Sequence, residues 1–343
     1  MVPRLLLTLC ATSLAIAACA SPDEDASGAA NELNASAHRR DWVAHPAIVE
    51  LDTATDIYAI SDIHGGYAEL GALMEAHGLV SNFASDPSKA ADAKWTGKAA
   101  VFVVAGDLVD KGAESIGVID FLRALEPKAA AAGGRVIVLM GNHEAEFLAD
   151  PRNDKALAHT QDGDGISLEL KEKGIDPRTL ASGTDAEGRG RWLRELPFGA
   201  RIKKWFFSHG GNTDGDTLAK LSTRLMSAVD GRDGFGAKDI IGNDSILEAQ
   251  EWWGGNGSKK ASDHAKALGV KHLVFGHDPG ALGVRGQLKA AQDGLLVKLN
   301  VDMGLKFSRN ANLVGGALLH ATIVKDAPDH AEQLDLNGET PLF

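Results

Sequence analysis

The sequence predicts an α/β fold whose core is a sheet of parallel strands, and three observations support this. Ala100 to Ala105 is a continuous apolar run rich in valine, typical of a strand buried on both faces, because a buried helix would need a longer run. Further short apolar runs alternate with segments of helical spacing, which is the pattern of βαβ units. The apolar runs are also followed by histidine, aspartate or asparagine, and ligands of open α/β sheets bind at the carboxyl ends of strands.

The first residues are expected to be a targeting segment and not part of the fold. Arg4 precedes an apolar run, Leu5 to Ala18, which is too short to cross a bilayer as a helix. The run ends in small residues before Cys19, and this resembles a bacterial lipoprotein signal, in which the cysteine becomes lipidated. We therefore expect residues 1–18 to be removed and Cys19 to anchor the chain in the cell envelope. The expected location is the periplasmic face of the outer membrane; an ordinary secretory signal is the alternative.

Composition divides the remaining chain into a tether, one domain and a tail. Residues 19–41 are rich in Ala, Ser, Asp and Glu, so they cannot bury enough apolar surface to order themselves, and we expect a flexible tether. A single catalytic domain is predicted over 42–326. Two variable stretches, at about 150–190 and 212–267, are predicted to be insertions over the sheet edge. Residues 327–343 are predicted to be a C-terminal tail.

The strands and helices of the domain follow from these patterns in chain order. The predicted strands are Asp56–Ser61, Ala99–Ala105, Arg135–Met140, Lys204–Ser208, Lys271–Phe275, Leu295–Val301 and Ala317–Val324. Helices are predicted over Ala68–His77 and Ser115–Ala132.

Five of the strands lead into side chains able to bind metals or transfer protons. These are Asp62 and His64, Asp107 and Asp110, Asn142 and His143, His209, and His277. Carboxylates mixed with imidazoles suit Zn, Fe, Mn or Co better than Ca or Mg. Asp107 follows the central strand, where one carboxylate could bridge two cations. Two metals about 3.5–4 Å apart acidify a shared water and clamp both oxygens of an in-line phosphoryl displacement, so the sequence predicts a two-metal site.

The same residues stand in recognisable motifs. They are Asp62–Gly65 (DIHG), Gly106–Gly112 (GDLVDKG), Gly141–Glu144 (GNHE), His209–Gly211 (HGG) and Gly276–His277 (GH). At these motifs the chain resembles the calcineurin-like metallophosphoesterases, in particular their phosphoprotein phosphatase branch. Arg191–Pro197 and Asp302–Gly304 look most like the bacterial Shewanella-like protein phosphatases.

The resemblance implies a four-layer αββα sandwich and a dinuclear centre of Mn, Fe or Zn with a bridging hydroxide. It places one metal on Asp62, His64 and Asp107, and the other on Asp107, Asn142, His209 and His277. His143 would be the general acid and Asp110 would orient it. The residues themselves agree with this division, because a carboxylate paired with a histidine keeps the imidazole protonated, as a leaving-group acid requires.

The phosphate-binding residues depart from the family pattern. Lys111 stands where the family has arginine, which keeps the charge but loses the bidentate grip on phosphate. The relatives' tryptophan motif reads Trp252–Gly255 here and carries no arginine. Arg191 or the pair Lys259–Lys260 could replace it, and Asn142 is expected to contact phosphate as well. Trp252 and its neighbour are expected to pack in the core, with a substrate-cleft wall as the alternative.

The predicted function is hydrolysis of a phosphomonoester, with a protein phosphorylated on Ser, Thr or Tyr as the expected substrate. The alternatives are a small-molecule phosphomonoesterase, a phosphodiesterase or nucleotidase, and a non-catalytic envelope binding lipoprotein. A formal net charge of −12 argues against a nucleic-acid partner. The histidines predicted to lie outside the site are His77, His159, His264, His272, His320 and His330.

Overall fold

The computed structural model describes residues 37–160, 163–254, 258–283, 285–301, 316–324 and 327–343. The predicted signal segment, the predicted lipidation site at Cys19 and the Asp302–Gly304 motif lie outside the described residues.

Two six-stranded sheets form the centre of the molecule, with strands numbered along the chain. The first sheet holds, in spatial order, β16 (Gly338–Pro341), β15 (His330–Asp335), β14 (Ala317–Thr322), β2 (Asp56–Ile60), β5 (Val101–Val104) and β6 (Arg135–Val138). The second holds β1 (Ile48–Leu51), β9 (Gly199–Ile202), β10 (Trp205–Ser208), β11 (His272–Phe275), β13 (Leu296–Lys298) and β12 (Lys289–Ala291). Two small ribbons pair β3 (Val80–Ser81) with β4 (Lys94–Trp95), and β7 (His159–Thr160) with β8 (Gly163–Asp164).

Helices cover the outer faces of the sheets. They are α1 (Tyr67–Ala76), α2 (Ser115–Ala131), α3 (Asn142–Ala149), α4 (Ile166–Lys173), α5 (Pro177–Ser182), α6 (Arg189–Arg194), α7 (Leu218–Val229), α8 (Lys238–Ile241) and α9 (Ser258–Leu268). Short 3₁₀ turns lie at Pro87–Asp92, Gly234–Gly236 and Ala281–Gly283. Within the described part of the chain, no helix is both long and apolar enough to cross a membrane.

Side chains that alternate along the strands divide the core into layers. Val103 of the first sheet and Phe207 and Val274 of the second lie in one buried cluster between the sheets. Their neighbours Phe102 and Phe275 point the other way, into the cluster that includes the helices. Because the central strands β2, β5, β6, β10 and β11 contribute to both clusters, the centres of both sheets are buried on two faces, as the apolar runs predicted. The αββα sandwich is confirmed.

Parallel pairing brings the carboxyl ends of the central strands to one edge. β2, β5 and β6 are mutually parallel, with Ile57 opposite Val101 and Val101 opposite Arg135. In the second sheet β10 is parallel to β11. All seven predicted strands are present, each somewhat shorter than expected, and the two predicted helices are α1 and α2. The predicted insertions are largely helical, containing α4 and α5 in one and α7 and α8 in the other.

The structure differs from the prediction at both ends of the domain. Arg40, inside the predicted tether, is buried and donates to the carbonyls of His45 and Leu196, so the described fold begins before residue 42. The predicted tail, 327–343, contains β15 and β16, which extend the first sheet beyond β14. These strands were missed because β15 buries few apolar side chains and β16 is an exposed edge strand.

Candidate metal centre

Loops from both sheets carry the predicted ligands to one place. Asp62, Asp107 and Asn142 follow β2, β5 and β6, and His209 and His277 follow β10 and β11. All except His277 are nearly fully buried, and His277 is partly buried. The structure therefore brings the predicted metal ligands together at the edge where the two sheets present their carboxyl ends.

The backbone of these loops is strained. Six non-glycine residues adopt left-handed conformations with φ between 47° and 66°: Asp62, His64, Asp107, Asp110, Lys111 and His277. Such conformations cost free energy and persist only where surrounding contacts enforce them, which occurs most often at functional sites.

Gly106 is a position in the second motif where the structure requires glycine. Its φ is +84°, and an added Cβ would lie 2.6 Å from the backbone of Gly141 and 2.9 Å from Nδ1 of His209. The close approach of three loops therefore depends on the absence of a side chain here.

Asp107 lies at the centre of the cluster and faces ligands from both sheets. Its Oδ1 is 3.2 Å from Nε2 of His209, and its Oδ2 is 3.6 Å from Nε2 of His64. Donor atoms of Asp107, His209 and His277 lie within 4.8 Å of one another, and so do those of Asp107, His64 and His143. One carboxylate is thus shared by two groups of donor atoms, as a dinuclear centre requires.

Backbone carbonyls fix two of the imidazoles. Nδ1 of His64 lies 2.9 Å from the carbonyl of Val109, and Nδ1 of His209 lies 2.7 Å from that of Ala105. Since a carbonyl only accepts, Nδ1 carries a hydrogen in both rings and Nε2 is the atom turned toward Asp107. This arrangement is typical of metal-binding histidines.

The buried charged groups of the cluster have the properties expected of a binding site for divalent cations. Oδ1 of Asp62 is buried without a hydrogen-bond partner and lies 3.9 Å from Nε2 of His64. Burial raises the pKa of Asp62 to about 6. Burial alone would lower the pKa of His209, but Asp107 outweighs it and raises that pKa to about 9. The raised pKa values of Asp62 and His209 mean that protons bind where a cation would otherwise bind. The mixed carboxylate, amide and imidazole donors suit transition metals.

His143 belongs to one of these donor groups and also pairs with Asp110. Nδ1 of His143 donates to Oδ2 of Asp110 over 2.7 Å, and Nε2 of His143 lies 3.8 Å from Oδ2 of Asp107. Burial opposes a charge on His143, yet Asp107 and Asp110 outweigh it and raise the pKa of the imidazole. The structure therefore places His143 next to the ligands, with its free ring nitrogen facing them.

Glu144 joins two of the loops, a role that the sequence analysis missed. Its two carboxylate oxygens accept the backbone N–H groups of Asp107, Leu108, Val109 and Gly141. Glu144 is fully buried. Its position three residues after Gly141 in the GNHE motif was the available signal, but three of the N–H groups that donate to it lie in a distant loop.

The amide of Asn142 is fully engaged. Its Oδ1 lies 3.0 Å from Nε2 of His209 and 3.2 Å from Nδ1 of His277. Its Nδ2 donates to Glu146 over 3.0 Å and to Glu248 over 2.9 Å. Both N–H groups are therefore occupied, and the structure does not support the predicted contact between Asn142 and phosphate.

Two basic side chains predicted to bind phosphate lie in different parts of the structure. Nζ of Lys111 lies 2.7 Å from Nε2 of His64, so this lysine reaches the cluster. Arg191 is exposed and lines a pocket with His38, Thr184 and other residues, none of which belongs to the cluster. The structure does not bring Arg191 to the predicted site.

The remaining candidates lie elsewhere. Trp252 is buried, donates to the carbonyl of Gly210 and stacks on His264, which is the core packing expected for it. Lys259 is exposed on α9 and pairs with Asp263. Among the described residues, none of the six histidines set aside in the sequence analysis belongs to either group of donor atoms.

A family model decides the assignment. The model described as "Calcineurin-like phosphoesterase" matches residues 55–281, which include strands of both sheets and every residue of the cluster. The chain belongs to the calcineurin-like phosphoesterase family. This membership makes it a metal-binding hydrolase of phosphoric esters, and the αββα architecture is that of a calcineurin-like phosphoesterase.

Three relatives match parts of the chain, and one of them, a Shewanella-like protein phosphatase, supports the branch suggested by the motifs. An uncharacterized protein of Schizosaccharomyces pombe is 25% identical over 67% of this chain and 69% of its own length. Shewanella-like protein phosphatase 2 of Arabidopsis thaliana is 33% identical over 26% of this chain and 20% of its own. A symmetrical bis(5'-nucleosyl)-tetraphosphatase of Photorhabdus laumondii is 32% identical over 41% and 38%.

A solved structure has the same fold. The cold-active protein-tyrosine phosphatase of a psychrophilic Shewanella species superposes with a TM-score of 0.64 at 19% identity, covering 87% of this chain and 82% of that one. At this identity the similarity establishes the fold alone.

Proposed function

We propose that the chain is a phosphomonoester hydrolase that works with two divalent transition-metal ions, Mn, Fe or Zn, and acts on phosphorylated Ser, Thr or Tyr side chains of proteins. The observation that carries this proposal is the position of Asp107 between two groups of donor atoms, one of which includes His143, whose other ring nitrogen pairs with Asp110.

The side chains divide the chemistry among them. Asp62, His64 and Asp107 would hold one cation, and Asp107, Asn142, His209 and His277 the other. When bound, the cations supply charge neutralisation at the phosphoryl oxygens and acidify a water molecule. His143 holds a proton on the nitrogen that faces the cluster and donates it to the leaving alkoxide oxygen. Lys111 attracts the phosphate at the mouth of the site.

The proposed function and the second candidate function differ in the class of substrate. The Shewanella-like relative supports a phosphoprotein substrate, and the resemblance to a symmetrical bis(5'-nucleosyl)-tetraphosphatase supports a nucleotide. The loss of a second phosphate arginine weakens the grip on a phosphomonoester, which keeps the nucleotide candidate in view.

Turnover measurements decide between these functions. Purified full-length protein with Mn²⁺ is expected to hydrolyse p-nitrophenyl phosphate and not its bis-ester, and to release phosphate from phosphopeptides. Faster turnover of diadenosine tetraphosphate than of any phosphopeptide would favour the nucleotide hydrolase. Absence of turnover with Mn²⁺, Zn²⁺, Fe²⁺ and Co²⁺ would instead favour a non-catalytic binding protein.

The proposed location is the bacterial envelope, with Cys19 lipidated and the domain in the periplasm. Support comes from the sequence, in which a short apolar run ends at this cysteine. Incorporation of labelled palmitate in cells should depend on Cys19, and a Cys19→Ala chain should leave the membrane fraction. Incorporation that persists in the variant would contradict this proposal.

A further inference from the structure

The amide of Asn142 is held from opposite sides by two kinds of partner. Oδ1 faces the imidazoles of His209 and His277, and Nδ2 faces the carboxylates of Glu146 and Glu248. The question is which pair decides the orientation of the amide, because only one orientation turns the oxygen toward the predicted cation.

The contacts with the imidazoles do not decide the orientation of the Asn142 amide. A neutral imidazole offers a bare nitrogen that can accept from an N–H, and a protonated one can donate to an oxygen. A metal ligand must be neutral, so in the metal-bound site the imidazoles of His209 and His277 would not oppose a reversed Asn142 amide.

The carboxylate side allows one orientation. An ionised carboxylate only accepts hydrogen bonds, so a reversed amide would place its oxygen against acceptors of Glu146 and Glu248. Such an arrangement would leave buried groups unpaired and repelling one another. The two glutamates thus forbid the orientation that would turn Nδ2 toward the metal ligands.

Both glutamates are held in place by the fold. Glu146 lies one turn after Asn142 on α3, so the spacing between them is that of neighbours on one helix face. Glu248 follows a turn in which Ser245 accepts its backbone N–H, and the carbonyl of Ile246 ties that turn to Gly210. Lys155 contacts both carboxylates and offsets part of their mutual repulsion.

We propose that Glu146 and Glu248 are positioning residues for the second metal: they fix the Asn142 amide with its oxygen toward the cation held by Asp107, His209 and His277. The proposal rests on the proposed function, because it concerns one of its two metals. It also means that Asn142 serves the metal and not the phosphate.

Metal binding to the full-length, chelator-treated protein tests this without measuring catalysis. Mn²⁺ alone is titrated by calorimetry and by electron paramagnetic resonance into the wild type and into Glu146→Leu/Glu248→Leu. The double variant should bind one of the two ions about 10–100-fold more weakly, as for other groups that orient a metal ligand, and the other ion unchanged. Asn142→Leu should weaken the same ion.

A conservative variant separates positioning from simple charge. Glu146→Gln/Glu248→Gln keeps an acceptor oxygen for each N–H but removes both charges, so it should retain most of the affinity that the leucine variant loses. Equal losses in both variants, or no loss in either, would overturn the proposal. Glu172→Leu, on the exposed face of α4, is the matched control and should bind like the wild type.

Other outcomes also remain informative. If the double leucine variant does not fold, as judged by its circular dichroism, the single variant Glu248→Leu is used with the same expectation of a weaker second ion. A wild-type chain that binds no Mn²⁺ would contradict the proposed function itself, whereas a normal wild type beside an unaffected Glu248→Leu would contradict only the positioning role.

Discussion

Nδ1 of His143 donates to Oδ2 of Asp110 over 2.7 Å, which leaves the opposite ring nitrogen facing the metal ligands. The other oxygen of Asp110 accepts the backbone N–H of Ile166 over 2.8 Å, so the carboxylate is itself held in place. Orientation and charge therefore act together on His143: the ring cannot rotate away from the cluster, and its pKa is raised.

Replacing His143 should remove the leaving-group acid and leave the metals bound. We expect His143→Ala to lower kcat on p-nitrophenyl phosphate by about 10²–10⁴-fold. The loss should be larger on phenyl phosphate, because a poorer leaving group depends more on protonation. Steady-state kinetics measure the loss, and elemental analysis measures the metal content.

Two further variants serve as comparisons for His143→Ala. Asp107→Ala should lose activity together with metal, because Asp107 faces both groups of donor atoms. His330→Ala, an exposed histidine on β15, should behave like the wild type. Full activity in His143→Ala would rule out the acid assignment.

Asp110→Asn should move the alkaline side of the pH–rate profile. Burial lowers the pKa of His143, whereas the charges of Asp107 and Asp110 raise it to a net value above normal. A general acid works while protonated, so kcat/KM should fall as pH rises through that raised pKa. Removing one of the two charges lowers the pKa, and the fall should begin at lower pH. An alkaline limb that stays in place would show that Asp110 does not set the acid's pKa.

Lys111→Arg should improve capture of phosphomonoesters. The ammonium of Lys111 already reaches the cluster, and a guanidinium at that position could contact two phosphate oxygens at once. The expected result is a lower KM with metal content unchanged, measured by steady-state kinetics beside the surface control Lys89→Arg. An unchanged or higher KM would argue against a phosphate role for Lys111.

The central strands of the sheets could be predicted because they carry strong local signals. Ala100 to Ala105 is apolar at every position, and the structure buries it on both faces. β1 and β15 carry no such signal, since β1 is short and lies at an edge while β15 buries few apolar side chains. The pairing of β1 also depends on a partner far along the chain, with Ile48 opposite Gly199, and local patterns contain no information about that contact.

Some residues of the candidate site could likewise be predicted from the sequence, and others could not. Asp107 and His143 were predictable because each follows a recognisable strand within a motif. Glu248 was not, because it lies 106 residues from Asn142 and meets it only after folding. Arg191 was misassigned as a possible phosphate ligand for a related reason: its charge is visible in the sequence, but its position on α6 is not.

Mn²⁺ affinity should rise with pH, because the metal must displace a proton from His209. Asp107 raises the pKa of His209 to about 9 in the metal-free protein, and a metal ligand must be neutral. Below that pKa each bound Mn²⁺ at this position releases one proton, so affinity should increase by about tenfold per pH unit between about pH 6.5 and 8.5. For the other ion, which Asp62 would hold, affinity should rise with pH at lower pH, because the pKa of Asp62 is about 6. Calorimetry in buffers of different ionisation enthalpy counts the released protons. His209→Gln should flatten the slope, and an affinity independent of pH in the wild type would contradict the assignment of the proton to His209.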